Sequence, residues 1–264
     1  MGTLLLELAG PLQSWGIDGR FTERGTGHEP SKSGIVGLLA SALGRRRTES
    51  VDDLVRLRMG VRVDQPGVYE RDFQTMHQRS WDKQAERWVR AGDSKLSNRS
   101  YLADAVFVVG VEMEDAALDT FATALLRPAF PLYLGRRSCP PASRVLIATR
   151  PGVRLAAALA DEPWRAHEQY RRARARRRQT SLPRLEVVRD EEPDDDASLP
   201  RETVRDVPVS FSPEHREYGW RTVVREYVTA RDATAAGGAE TGPSVGRVAL
   251  EDLPAHDPWS ALEG

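Results

Sequence analysis

Alternating and helical patterns of apolar residues follow one another along the first part of the chain. In TLLLELA, residues 3–9, leucines occupy every second position on one side, which is the period of a β-strand. From Ile35 the apolar spacing changes to i, i+3, i+4 and i+7. That spacing predicts a short amphipathic helix with Ser31 or Ser33 as its N-cap and Gly44 as its end.

Further strands and a second helix follow. VRVD at 61–64 and VYERDFQTM at 68–76 are joined by a Pro-Gly turn, so they predict a hairpin or its beginning. The apolar run YLADAVFVVGVEM at 101–113 predicts a central strand. DAALDTFATALLRP at 115–128 predicts a helix capped by its first aspartate and ended by its last proline.

The order of these elements predicts the fold class. FPLYLG at 130–135 and RVLIAT at 144–149 have strand character, and a polar segment fills 77–100. The order is therefore β, α, β, polar insertion, β, α, β. This is the split βαβ, or ferredoxin-like, plan, in which two helices pack on one face of an antiparallel sheet. We predict an α+β protein with a ferredoxin-like (RRM-like) βαββαβ domain over 1–150.

The second part of the chain has a weaker pattern. RETVRDVPVSF and GWRTVVREYVTA have strand character, so 151–228 predicts a small β-rich extension. A charged insert at 165–200 holds six arginines within 171–178 and six acids within 190–196. Such an insert is either a solvated, partly disordered segment or a mobile loop that contacts RNA. Residues 229–264 predict a flexible tail.

Composition narrows the class of protein. The chain has 264 residues, of which 40% are apolar, enough for a sizeable core. A net charge of −1 argues against a strongly basic nucleic-acid binder. Glu7 interrupts the N-terminal apolar segment and no apolar run reaches about 18 residues, so we expect a cytoplasmic chain that does not enter a membrane. Cys139 is the single cysteine, which excludes an internal disulfide.

The glycine-rich stretch before the first helix raises the question of a phosphate-binding loop. Such a loop needs glycine six residues before its lysine and directly before it, but Thr26 and Ser31 stand there. Pro30 also removes one backbone donor. PSKSG still leads into a helix N-terminus, whose free N–H groups favour an anion such as an RNA phosphate. The alternative is that the serines cap the helix and Lys32 is solvated.

Catalytic and metal-binding motifs are absent from the sequence. Its five histidines show no HxH or HExxH spacing, and there is no GxSxG, so we predict neither a metal nor another cofactor. His77, Lys95 and Tyr101 could together perform metal-free RNA cleavage by general acid-base transfer. The alternative is that all three are ordinary polar residues of the insertion.

Four motifs taken together are more informative than each one alone. They are LAGPLQSWG, PSKSGIVGLLASALGR, YLADAVFVVGVE and PLYLGRRSCPP; in the last, Arg136 and Arg137 follow a glycine turn and can address two phosphates. In order and spacing the motifs resemble the CasD family, whose members are subunits of type I-E CRISPR Cascade complexes and belong to the RAMP superfamily. The resemblance covers 1–150 well and includes RETVRDVPVSF at 201–211.

The resemblance implies a noncatalytic RNA-binding role. Members of the family cap one end of Cascade and hold the 5′ handle of the CRISPR RNA. They contact the large subunit CasA and the first CasC backbone subunit, in an assembly that also contains CasB and CasE, and they meet target DNA only through the guide duplex. Their thumb, a β-hairpin inserted in the ferredoxin-like fold, interrupts guide-target pairing and would correspond here to 77–100. The alternative is a metal-independent endoribonuclease acting on precursor CRISPR RNA, because a related subunit of another subtype cuts it.

The implied contacts fall into two sets. The first would hold RNA and consists of Gln13, Ser14, Trp15, Arg20, Arg24, Ser31, Lys32, Ser33, Gly34, Arg45, Arg46, Arg136 and Arg137. The second would belong to the thumb and consists of His77, Arg79, Trp81, Lys83, Arg87, Trp88, Arg90, Lys95, Arg99 and Tyr101. For Trp15 a core-packing indole remains an equal alternative.

Overall fold

The computed structural model describes most of the chain as one mixed α+β arrangement. The described residues are 1–16, 22–177, 179, 181–192, 194–212 and 215–232. Arg20, His256 and most of the tail predicted at 229–264 therefore lie outside the described residues.

Strands dominate the described part. They are β1 (Gly2–Ala9), β2 (Leu12–Gln13), β3 (Glu23–Arg24), β4 (Arg58–Gln65), β5 (Val68–Asp82), β6 (Arg87–Ala103), β7 (Val106–Met113), β8 (Leu146–Arg150), β9 (Arg184–Asp190), β10 (Arg201–Phe211) and β11 (Arg216–Thr229). The helices among the described residues are α1 (Lys32–Ala42), α2 (Asp52–Val55), α3 (Asp115–Leu126), α4 (Leu155–Asp161) and α5 (Glu168–Arg176).

A seven-stranded antiparallel sheet forms the centre of the molecule. Its strand order is β10-β11-β9-β4-β7-β1-β8. Helix α1 follows β1 and α3 follows β7, as the sequence predicts. Strands β9, β10 and β11 continue the sheet beyond β4, so the C-terminal extension adds to the same sheet. The predicted strand at 201–211 coincides with β10, whereas β9 was not predicted from the sequence.

Both faces of the central strands β4, β7 and β1 are buried. The alternation in β1 directs Leu4, Leu6 and Leu8 into the core shared with α1 and α3. Leu5, on the opposite face, packs against the core under α4. Helix α4 can approach the sheet closely because glycines stand beneath it: a Cβ added at Gly110 would lie 2.6 Å from a methyl carbon of α4.

The run predicted as one strand at 101–113 is divided. Strand β6 ends at Ala103 and β7 begins at Val106. Between them Asp104 has a positive φ of 55°, a conformation that aspartate tolerates better than most residues. The turn allows β6 to leave the central sheet and pair with β5 instead.

FPLYLG does not form the predicted strand. Its neighbouring backbone groups bond to the end of α1, where the Ala129 and Phe130 N–H groups donate to the carbonyls of Ala42 and Ser41. The carbonyl of Leu134 accepts from Ser14 N at 3.1 Å. These bonds satisfy the segment without a sheet partner, so it wraps the helix end as a loop.

The N-cap predicted for the second helix is also wrong. Glu114 occupies the cap position of α3 without a side-chain cap bond, and Asp115 is the first helical residue. The Asp115 carboxylate instead accepts from Gly152 N at 3.2 Å, in the loop after β8. The helix ends at Leu126, two residues before the proline, because proline disfavours helical geometry in the residue that precedes it.

The polar insertion forms the end of a long β-hairpin. Strands β5 and β6 have 15 and 17 residues, so the hairpin extends over 68–103 rather than beginning at 77. At its base β6 pairs with β2 and, in parallel, with β3. The short strands thereby fix the base of the hairpin beside the loops that follow β1.

A buried charge cluster joins the C-terminal strands to α1. Asp206 of β10 accepts the backbone N–H of Lys32 at 2.7 Å, and Lys32 Nζ donates to Asp190 of β9 at 3.0 Å. Arg221 of β11 bonds to both aspartates, at 2.7 Å and 2.5 Å. Asp190 also accepts from Met59 N of β4 at 2.9 Å. Five elements, α1, β4, β9, β10 and β11, therefore meet at two carboxylates.

The cluster keeps Asp190 ionised. Burial raises the pKa of its carboxyl group, but the positive charges of Arg221 and Lys32 outweigh that effect and hold the pKa below its ordinary value. A carboxylate whose pKa is lowered on folding stabilises the protein above the ordinary aspartate pKa of about 3.9. That contribution is lost as the pH falls from there through the lower pKa of the folded state.

We expect Asp190→Asn to lower the free energy of unfolding by about 3–5 kcal/mol at pH 7, because it leaves two buried cations undercompensated. Urea unfolding followed by tryptophan fluorescence measures this. The variant should also lose less stability than the wild type between about pH 5 and pH 2, since the carboxylate that titrates over this range is absent. Asp119→Asn removes an exposed charge from α3 and should change stability by less than about 0.5 kcal/mol. Equal effects of the two substitutions would contradict the role of the cluster.

Candidate nucleic-acid interface

The Gln-Ser-Trp segment after β1, residues 13–15, is a structural joint: its buried side chains connect the end of β1 to the base of the hairpin. Gln13 is buried, and its amide donates to the carbonyls of Leu8 and Ala105 at 3.0 and 2.8 Å. Trp15 is 1% exposed and its indole N–H donates to Gln13 at 3.1 Å. Ser14 is also buried. The side chains of this segment are therefore not accessible to RNA, and the core-packing alternative for the indole is the one observed.

Gly34 and Gly135 accommodate this joint. A Cβ added at Gly34 would lie 2.8 Å from the Trp15 ring, so the helix presents its smallest residue to the indole. Gly135 has φ of 82°, and an added Cβ would lie 1.8 Å from the Ser14 carbonyl oxygen. Only glycine fits there, and the turn it makes directs Arg136 towards the base of the hairpin.

The helix N-terminus predicted to hold phosphate is already occupied. Ser31 is the N-cap and accepts from Gly34 N, while its hydroxyl lies 3.2 Å from that of Ser33. Lys32 is 7% exposed and its ammonium group binds Asp190. The positive end of the helix therefore attracts an anion, as predicted, but the anion is Asp206 of the same chain. The predicted contact of Lys32 with an RNA phosphate is contradicted by this burial.

Arg136 connects the hairpin to the loop that follows β3. Its guanidinium donates to the carbonyl of Ser100 at 3.1 Å and to those of Arg24 and Gly25 at 2.8 and 3.1 Å. The same group lies 4.8 Å from the centre of the Tyr101 ring. Arg136 thus positions the hairpin base through carbonyls, whereas its neighbour Arg137 is exposed.

Arg45 and Arg46 lie at the other end of α1. Arg45 forms a two-pronged ion pair with Asp53 at 2.5 Å, and its hydrogen bond lowers the pKa of that carboxyl. Arg46 is exposed, and its backbone N–H donates to Glu49. An eleven-residue helix is about 16 Å long, so this pair is not brought together with Arg136.

One face of the hairpin carries exposed aromatic rings and arginines. Trp81 lies opposite Trp88 in the strand register, with ring centres 5.6 Å apart in an edge-to-face arrangement, and Arg79 lies opposite Arg90. Alternation in β5 places Tyr69 and Phe73 on the side of Trp81. Phe73 and Trp88 are each 61% exposed. We call this surface the aromatic-arginine face; it consists of Tyr69, Phe73, Arg79, Trp81, Trp88 and Arg90.

Part of this face was missed from the sequence. The two tryptophans and arginines were predicted as thumb residues, but Tyr69 and Phe73 were read only as strand positions. The signal that identifies them is the odd-numbered alternation of β5, which continues from Tyr69 to Trp81 without entering the core. Trp81 and Trp88 lie together, whereas eight residues of β5, about 26 Å, separate Phe73 from Trp81, and the Tyr69 ring contacts His28 instead.

Arg79 and Arg90 form a cross-strand pair of like charges, which is unusual in a hairpin without a bound partner. Like charges directly opposite each other in a sheet are destabilising, and neither Arg79 nor Arg90 forms an ion pair with a described residue. Arg90 bonds to the Ser94 hydroxyl, which lies 3.1 Å from His77 Nδ1. Their arrangement suits an external anion such as a phosphate.

The remaining predicted thumb residues differ in exposure. Those exposed are Lys83 and Arg87 at the tip and His77 and Lys95 further down. Arg99 is half-buried and lies opposite Arg24 where β3 pairs with β6, and Arg24 itself is exposed.

The three candidates for RNA cleavage do not meet. Tyr101 is 4% exposed at the hairpin base, where it pairs with Glu70, whereas Lys95 pairs with Met76 six positions further along the hairpin. Six strand residues correspond to about 20 Å, far beyond the reach of a shared proton transfer. His77 bonds to Ser94 and not to either of the other two.

Two further classes of site are absent from the described part of the chain. No group of three or more His, Cys, Asp or Glu side chains there is arranged to hold a metal ion. No helix there combines the length and the apolar character needed to span a bilayer. Cys139 is buried, and burial raises the pKa of its thiol.

Comparison with known proteins gives consistent matches. The Escherichia coli (strain K12) protein "CRISPR system Cascade subunit CasD" is 33% identical over 148 residues, which are 52% of this chain and 66% of that one. The matched stretch thus spans slightly less than two thirds of that relative.

Two solved structures match over a larger share. A chain of a "CRISPR RNA-guided surveillance complex" superimposes with a TM-score of 0.68 and 32% identity, covering 87% of this chain and 91% of that chain. A chain of the structure titled "Crystal structure of Cas protein" superimposes with a TM-score of 0.61 and 36% identity, covering 86% of this chain and 95% of that chain. The family model described as "CRISPR-associated protein (Cas_Cas5)" matches residues 3–224. The chain therefore belongs to the Cas5 family of CRISPR-associated proteins.

Proposed function

We propose that this chain is a noncatalytic, CasD-like subunit of a CRISPR surveillance complex and that it binds the 5′ handle of the CRISPR RNA. The observation that carries the proposal is the aromatic-arginine face on a hairpin that projects from the sheet. Family membership supports it, as does the likeness to a relative named as a Cascade subunit.

We also propose that the central strands form the ferredoxin-like unit of the RAMP superfamily. Strands β4, β7, β1 and β8 are neighbours in that order, with α1 after the first strand in sequence and α3 after the third. The hairpin is inserted between β4 and β7, which correspond to the second and third strands of a βαββαβ unit. The order of strands and helices is what supports this assignment.

The aromatic-arginine face combines exposed rings with arginines. This combination suits a single-stranded RNA better than it suits a protein partner with a typical mixture of polar and apolar residues. Exposed rings provide platforms on which unpaired bases stack, with about 1–3 kcal/mol per base. Arg79 and Arg90 provide planar donors for phosphates between such bases. Arg24 and Arg137, both exposed near the hairpin base, extend the positive charge towards the sheet. The handle would run from the base along the hairpin.

The hairpin is also the element that we assign as the thumb. The edge-to-face pair of Trp81 and Trp88 lies near its tip, where rings can separate a guide base from its partner in target DNA. Contacts with CasA and CasC, capping of an assembly with CasB and CasE, and a cytoplasmic location complete the proposal by analogy with the family.

We expect Trp88→Ala to weaken binding of a handle-sequence RNA by about 1–3 kcal/mol, which is roughly fivefold to 150-fold, because one stacking platform is lost. Fluorescence anisotropy with labelled RNA measures the affinity. Trp220→Ala removes an indole of similar exposure from β11, outside the hairpin, and serves as the matched control. Unchanged affinity in the first variant, or equal losses in both, would argue against the hairpin as the RNA site.

We expect no specific cleavage when the purified protein is incubated with repeat RNA in EDTA, because Lys95 and Tyr101 are too far apart to act with His77. Denaturing gel electrophoresis detects products. Cleavage at a defined position that disappears in His77→Ala, Lys95→Ala or Tyr101→Phe would overturn the noncatalytic assignment and favour the endoribonuclease.

A further inference from the structure

An apolar groove lies between the end of α3 and the loop that leads into β8. Its lining includes Leu125 and Val145, which are 4% and 3% exposed and belong to the core. Leu126, Leu132 and Pro141 also line it, and its volume is about 370 Å³. Leu126 is 37% exposed, so part of this apolar lining faces solvent in the described part of the chain.

The lining of the groove carries a positive charge. Arg144 lines it beside Ser143, and none of the described residues that line the groove is acidic. Arg144 is exposed and forms no ion pair with a described residue. A complementary ligand for this groove therefore combines apolar side chains with negative charge.

The residues that follow β11 lie close to this groove. The carbonyl of Arg231 accepts from Trp164 N at 2.9 Å. Arg165, the next residue, donates to one oxygen of Glu7 at 3.0 Å, and the Ser143 hydroxyl donates to the other oxygen at 3.2 Å. This short series of groups spans no more than about 25 Å, even when each side chain is extended.

The sequence beyond the described residues has a composition that suits the groove. Residues 248–264, VALEDLPAHDPWSALEG, hold four acids and neither lysine nor arginine. Trp259 and Leu262 lie three positions apart, and Leu250 and Leu253 have the same spacing. We call 248–264 the acidic tail segment.

The connection is long enough for the acidic tail segment to reach the groove. Residues 233–247 separate the segment from the last described residue, and an extended chain of that length spans up to about 50 Å. This exceeds the distance between Arg231 and the groove. A ligand on such a tether meets its site at a millimolar effective concentration, so even a weak contact forms within the same molecule. A separate partner would have to displace a segment that every copy of the chain carries.

We propose that the groove between α3 and β8 binds the acidic tail segment of the same chain. The apolar side chains of the segment cover the exposed part of the lining, and its acids compensate the charge of Arg144. The groove includes no residue of the hairpin or of the buried charge cluster. This inference therefore goes beyond the proposed function and does not depend on RNA binding.

The test measures how fast a disulfide forms between the segment and the groove in the full chain. One introduced thiol is Ser260→Cys, next to Trp259, and the other is Ser143→Cys in the groove lining. The native Cys139 is buried, so it does not compete with them. Dilute protein is oxidised in a glutathione buffer, and the product is followed by non-reducing electrophoresis and by mass spectrometry of a digest.

The matched control combines Ser260→Cys with Thr75→Cys. Thr75 is exposed on the hairpin, seven strand residues or about 23 Å from the start of β5. The hairpin base is itself near the end of the described chain, because His167, three residues after Trp164, bonds to Asp104 at 2.8 Å. The segment can therefore reach both positions, and only docking in the groove favours Ser143→Cys.

We expect the groove pair to form its disulfide at least about tenfold faster than the hairpin pair, because docking holds one thiol beside the other. Trp259→Ser with Leu262→Ser should remove this difference, since the apolar contacts are lost. Ala255→Ser with Ala261→Ser changes the same segment at two small residues and should retain most of it. Arg144→Glu should slow the groove pair at low salt and have a smaller effect at about 1 M salt, where charges are screened.

Circular dichroism confirms that each variant is folded. The proposal is overturned by equal rates for the groove and hairpin pairs, by a faster hairpin pair, or by a groove rate that does not respond to the loss of Trp259 and Leu262. A groove disulfide whose rate rises with protein concentration would assign the groove to a second copy of the chain, which also overturns the proposal.

Discussion

Burial of two carboxylates at the start of α1 is the constraint on which the rest of the structure depends. Asp190 and Asp206 come from β9 and β10, yet their partners include the helix N-terminus, β4 and β11. Because a buried charge is tolerated only with good partners, the C-terminal strands cannot shift without exposing the cluster. The cluster therefore fixes β9, β10 and β11 relative to β4 and to the start of α1.

The hairpin base is also fixed by a small number of side-chain contacts. Gln13, Ser14 and Arg136 bond to backbone carbonyls around β6, and Trp15 fills the space that Gly34 leaves open. None of these side chains needs to touch a ligand in order to matter for binding. They fix the direction in which β5 and β6 project from the sheet. This direction determines where the exposed rings further along the hairpin lie.

Local patterns predicted much of the fold, and long-range contacts account for what they missed. The leucine alternation of β1, the Ser31 cap and the bounds of β10 depend on neighbours in sequence and are confirmed. Lys32 looked like a free cation because its partner Asp190 lies 158 positions away. FPLYLG has strand composition, but its backbone bonds to the end of α1. At the site, the sequence was sufficient to predict the aromatic residues at the hairpin tip. It did not predict that Arg136 links the hairpin base to the loop after β3, because the carbonyl groups that Arg136 binds are distant in sequence.

The charges on the aromatic-arginine face also affect how copies of the chain meet before they join a complex. A long hairpin with exposed rings is a template for edge-to-edge or face-to-face association between identical molecules. Arg79 and Arg90 stand directly opposite each other among those rings, so two copies that approach face to face bring four like charges together. The same pair thus acts as a gatekeeper against self-association of the free chain.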